Sequence, residues 1–184
     1  MLPTVPLLRA GGVYNSLDVQ DITPAQGGDV VAQITMSNSG LIKRDLLNLT
    51  EARKSLLKFT TQELLDITLE AGDIFLNDNL PVGDGSSLQS PDDYLHSLAA
   101  TSGLPHALIR MNMKRLHGVF REVPTIFKGL SRGLSPDILD KGYTEQHGVR
   151  VAFVPTTNAL GVILPSNSPA VNALWIPSIA MKTP

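Results

Sequence analysis

Val149-Arg150-Val151-Ala152-Phe153-Val154-Pro155-Thr156-Thr157-Asn158-Ala159-Leu160-Gly161-Val162-Ile163-Leu164-Pro165-Ser166-Asn167-Ser168-Pro169 is the stretch whose reading decides the fold. Two apolar, β-branched runs, 149–155 and 160–164, flank a Thr-Thr-Asn turn and read as a strand pair. Residues 165–169 break the pattern. Beyond them apolar residues recur at Val171, Leu174, Trp175 and Ile179, which is helical spacing. Asn167 or Ser168 suits the cap of that helix and Pro169 its first turn. The run 160–164 is nearly all apolar, as in a strand covered on both faces. A buried strand thus enters a short polar loop that opens a helix. In an open α/β sheet, that corner is where ligands bind.

The run 160–169 resembles the strand and loop that open the cofactor domain of the aldehyde dehydrogenase superfamily. There a Gly-Val strand leads to Pro, one residue, Asn, another residue and Pro; the anchors here are Pro165, Asn167 and Pro169. Ser166 stands where that family usually has an aromatic residue, and the spacing from strand to Pro is shorter than in ordinary aldehyde oxidisers. With the following Ser-Ile-Ala-Met-Lys-Thr, these departures look more like the CoA-acylating branch, the acyl-CoA reductases.

The resemblance implies a catalytic role for Asn167. Its side-chain amide would help form an oxyanion hole, where negative charge develops on a carbonyl oxygen under thiolate attack. Leu164, Pro165 and Ser166 would lie along the dinucleotide. NAD or NADP is the implied cofactor, coenzyme A a co-substrate, an aldehyde or acyl-CoA the substrate, and a homo-oligomer the expected assembly. The strand pair around 149–164 would belong to a sheet shared between subunits.

The chain of 184 residues contains no cysteine. Disulfides and thiolate metal sites are therefore excluded, and so is a thiol nucleophile within these residues. The resemblance needs such a thiolate, so the chain reads as the N-terminal part of a longer enzyme, inactive by itself. The full enzyme is then expected to be α/β. This part is expected to be helix-rich, with short hairpins and the first strand–helix unit of a Rossmann-like cofactor domain. Its expected divisions are a helical region over 1–147 and a truncated cofactor domain over 148–184. In such a fragment the apolar run 160–164 would lack its cover and favour association. Alternative readings are the front of an ordinary NAD-dependent aldehyde dehydrogenase and a non-catalytic helical binding protein.

Composition fits a core-forming chain, with 42% hydrophobic and 17% charged residues. The net charge of −2 carries no basic excess that would point to nucleic acid. No apolar run is long enough to span a membrane, and the start at Met1 lacks the features of a signal peptide. Cytoplasm is the expected location.

Earlier in the chain, Ala10-Gly11-Gly12 marks a turn. Residues 13–19 and 30–36 read as strands of one hairpin. Gly27-Gly28 reads as a loop. Thr50 is expected to cap a helix running to Phe59. Thr60-Thr61-Gln62-Glu63 looks like a capping box opening a longer helix. That helix carries acidic residues on one side, a solvated face. Residues 81–90 read as a loop, Ser90 as the cap of a helix that Gly103 ends, and Pro105 as the start of another that Pro124 kinks or stops. Arg110, Lys114, Arg115, Arg121, Lys128 and Arg132 form a positive rim that suits either solvent or phosphate. A last short helix follows Ser135-Pro136-Asp137 and ends near Gly142. The four histidines, His96, His106, His117 and His147, lack metal-binding spacing, and no metal site is read.

Overall fold

The computed structural model describes residues 2–83, 85, 87–164, 175, 179, 181 and 182. Helices and short strands are mixed, and the chain forms two compact units. One comprises Met1–Leu47 and Asp73–Lys114, the other Asn48–Gly72 and Arg115–Pro184. The expected boundary at 147/148 falls in the tip of a hairpin inside the second unit.

In the first unit, β1 (Thr4–Val5) runs parallel to β5 (Ala32–Thr35), and β4 (Val19–Ile22) lies antiparallel on the other side of β5. The register sets Thr4 beside Gln33, and Val19 and Ile22 beside Thr35 and Ala32. A separate hairpin joins β2 (Leu7–Arg9) to β3 (Gly12–Tyr14). The run 13–19 therefore divides. Its beginning pairs back across Ala10-Gly11, and its end starts the strand that meets β5. Both central residues of the β2–β3 turn have positive φ, 49° at Ala10 and 79° at Gly11, which suits the right-handed twist of a tight hairpin. Arg9 fastens this hairpin to α1 (Ser39–Leu46) by two bonds to the Asp45 carboxylate, 2.7 and 2.5 Å long. Its guanidinium also lies 4.6 Å from the Tyr14 ring centre.

Residues 81–90, expected as a loop, instead hold a third hairpin, β6 (Leu80–Val82) with β7 (Ser87–Gln89). The positive φ of Gly83 and Gly85 lets the chain reverse there, and Leu80, Pro81 and Val82 pair with Gln89, Leu88 and Ser87. Helix α4 (Pro91–Ser102) follows with the expected caps. Ser90 and Asp93 form a reciprocal capping box, and Gly103 closes the helix in the left-handed conformation. Leu95 of α4 is fully buried against Ile109 and Met113 of α5 (His106–Leu130), with Phe75, Leu76 and Leu98 around them.

In the second unit, Asn48 stands at the N-cap of α2 (Leu49–Leu56), so Thr50 lies inside the helix and is not its cap. The Thr60–Glu63 box is present at the head of α3 (Thr61–Asn77). The Thr60 N–H donates to Glu63 Oε2 at 2.7 Å, and the Glu63 N–H donates back to Thr60 Oγ1 at 3.2 Å. Leu64 and Leu65 of α3 form a core with Val123 and Phe127 of α5, joined by Leu56, Leu139 and Ile179. Helix α5 continues through Pro124 to Leu130. The short α6 (Ile138–Lys141) ends at Gly142, φ 80°, where the sequence places its stop.

The strand pair expected over 149–164 does not form. Strand β9 (Val149–Val151) pairs with β8 (Thr144–Gln146) across His147-Gly148. Both turn residues have positive φ, 51° and 76°, the geometry a two-residue hairpin requires. Thr156-Thr157-Asn158 contains no glycine, and Pro155 has no N–H for a ladder. Residues 160–164 hold no strand and are exposed, Ile163 almost completely at 99%. Among the described residues, no helix is long and apolar enough to cross a membrane.

Two outcomes test this packing. A Cβ at Gly72 would lie 2.5 Å from the Cβ of Phe120. Gly72→Ala is therefore expected to destabilise the protein by about 1 to 3 kcal/mol despite alanine's better helix propensity. Urea unfolding measures this, and a gain in stability contradicts the close approach. Ala10→Gly removes a left-handed alanine and is expected to stabilise by up to about 1 kcal/mol. A lower thermal midpoint for that variant rules out the positive-φ turn.

Candidate functional site

The densest polar constellation among the described side chains lies where α3 begins. The Asp140 carboxylate, on α6, faces the first residue of α3. Thr61 donates its backbone N–H to Asp140 Oδ1 at 3.0 Å and its hydroxyl to the same oxygen at 2.9 Å. Lys182 donates its ammonium to Asp140 Oδ1 as well. The Lys182 side chain is 6% exposed and that of Asp140 23%. The position follows from helix physics, because the first N–H groups of a helix lack internal partners and that end carries partial positive charge. A carboxylate there meets both needs, and it also gives the enclosed ammonium a counter-charge.

Burial pushes the Asp140 carboxyl up, but the bonds from Lys182 and Thr61 outweigh it and hold the group below its usual range. Glu63 is also held low, chiefly by the Thr60 backbone N–H and then by its hydroxyl. A carboxylate with three donors on it is a fastener rather than a poised general base. Lys182 has positive φ, 57°. Ile179, three residues earlier, packs on the Leu64–Val123 core. Together they seat the described residues near the end of the chain on the second unit.

Of the four site residues expected from the sequence, Leu164 is described. It is 47% exposed and lies in no strand. Pro165, Ser166 and Asn167 lie outside the described residues. Val171 and Leu174 of the expected following helix do so too, while Ile179 is helical and packed. The cations of the expected positive rim are exposed, and Arg110 pairs with Asp92 of α4 at 3.1 Å. Sequence reasoning missed the Asp140–Thr61–Lys182 cluster. Its members are 79 and 42 residues apart, and no local spacing signals such a meeting.

Compared with family models, curated proteins and solved structures, the chain has no match.

Asp140→Asn keeps the shape of the cluster and removes its charge. We expect a loss of about 2 kcal/mol at pH 7, between the values typical of exposed and of fully buried pairs. A carboxyl held low in the folded state contributes stability above its unfolded pKa of about 4, and that contribution is lost as pH falls through the folded-state value. The gap between variant and parent should therefore shrink towards pH 2. Denaturant unfolding at both pH values measures it; a gap independent of pH would show that charge is not what matters there.

Proposed function

We propose that the chain is the N-terminal part of an NAD(P)-dependent oxidoreductase that acts on aldehyde or acyl-CoA groups. On this reading it would stand with the CoA-acylating branch of the aldehyde dehydrogenase superfamily. The observation that carries this reading is the run Gly161-Val162-Ile163-Leu164-Pro165-Ser166-Asn167-Ser168-Pro169. In it an apolar, β-branched segment meets an asparagine between two prolines.

Asn167 would donate its amide N–H to the oxygen on which charge develops, and Leu164, Pro165 and Ser166 would line the dinucleotide. The nicotinamide cofactor would supply hydride transfer when bound. The attacking thiolate would come from a part of the enzyme beyond these residues, since none here is a cysteine. The exposure of Leu160, Val162, Ile163 and Leu164 supports the reading, because a run of this composition suits a strand of a covered sheet. On this proposal the rest of the enzyme provides that cover and completes a Rossmann-like unit.

In the full-length enzyme, Asn167→Ala is expected to lower kcat by about tenfold to a thousandfold, with NAD(P) affinity little changed. Steady-state kinetics with an acyl-CoA and with a free aldehyde, beside cofactor titration, test it. Unchanged turnover leaves Asn167 as a helix cap. Aldehyde oxidation without thioester reduction moves the enzyme to the ordinary aldehyde-oxidising branch.

A further inference from the structure

His96 lies on α4 and His106 is the first residue of α5, with the turn through Gly103 and Pro105 between them. The turn brings the two rings together, with centroids 5.0 Å apart and planes at 89°. Nδ1 of His96 lies 2.7 Å from the Asp92 carbonyl oxygen, one helical turn back. A carbonyl oxygen has no proton to give, so Nδ1 carries the hydrogen. The neutral ring then keeps its lone pair on Nε2. Metal-binding imidazoles are held in the same way, with one nitrogen donating to a carbonyl to fix the tautomer while the other faces the cation.

The spacing also fits. With metal–nitrogen bonds of about 2.1 Å and a tetrahedral angle, two coordinating imidazoles have centroids about 5 Å apart. Both residues are exposed, so a cation reaches them from solvent. The neighbouring carboxylates are otherwise engaged. Asp92 Oδ1 accepts from Arg110 at 3.1 Å, and Asp93 Oδ2 accepts the Ser90 N–H at 3.0 Å and its hydroxyl at 2.6 Å. Among the described residues, no group of three or more His, Asp or Glu gathers as a metal site. The donor set is therefore two neutral nitrogens, which suits zinc, nickel or copper and not the oxygen-seeking magnesium or calcium.

We propose that His96 and His106 form a solvent-open site for a divalent cation of the zinc class, with water completing the coordination. The site is independent of the reaction proposed above and lies wholly within the first unit.

The test is a zinc titration of the full chain at pH 7.5, followed by calorimetry and by the imidazole carbon–proton NMR signals. One equivalent is expected to shift His96 and His106 together while His147 stays in place. His96→Gln and His106→Gln should each weaken zinc binding by at least about tenfold, and His147→Gln should leave it unchanged. The thermal midpoint without zinc verifies that each variant folds. Equal zinc affinity in His96→Gln and the parent, or equal shifts at all four histidines, overturns the site.

Discussion

The spacing of α3 and α5 depends on one missing side chain. Gly72 presents bare backbone to Phe120, so the second unit's stretches of these helices approach as closely as a glycine allows. That approach lets Leu64 and Leu65 close on Val123 and Phe127, which pack together as one buried cluster of the second unit. Glycine is a poor helix former in isolation, and its place in the middle of a long helix is explained by this contact. The local cost is offset by burying large aliphatic and aromatic side chains at the next turns. Leu56 and Leu139 then pack on that core from the neighbouring helices.

Helix ends were readable because a cap is a local device. Ser90 with Asp93 and Thr60 with Glu63 need three-residue spacing, and Gly103 and Gly142 need only a left-handed backbone. Strands were less readable because pairing is a contest among segments. Val19–Ile22 found Ala32–Thr35, close to expectation, yet Gly12–Tyr14 was captured by Leu7–Arg9 through a two-residue turn. Val149–Val151 was likewise captured by Thr144–Gln146, since His147-Gly148 closes a shorter loop than Thr156-Thr157-Asn158 could. Residues 160–164 have the apolar composition of a buried strand, yet they are exposed and unpaired, because a pattern does not supply a partner.

The same division holds for candidate sites. Asn167 was chosen from a local motif, and a local motif is what sequence displays best. Asp140, Thr61 and Lys182 share no motif, and they converge because a helix terminus, a carboxylate and an enclosed ammonium satisfy one another. His96 and His106 fall between these cases. Their spacing fits no single-helix metal motif, and a Gly-Leu-Pro turn between two helices brings their rings together.

The cluster at Asp140 bears on the proposed chemistry through what it fixes. On one side of residues 152–178, strand β9 is held in a hairpin whose tip Gly148 allows. On the other side, Ile179 is seated on the Leu64–Val123 core and Lys182 is paired with Asp140. The described residues that bound the run in sequence, Val151 and Ile179, both belong to the second unit. Anchoring at both ends reduces the entropy lost when the intervening chain takes up a single conformation. An oxyanion-binding amide needs such preorganisation, since donors act on a developing charge only when little rearrangement remains at the moment of reaction. If the chain acts as proposed, the ionic fastener at the head of α3 would serve that reaction only as a positioning element, remote from the reacting atoms.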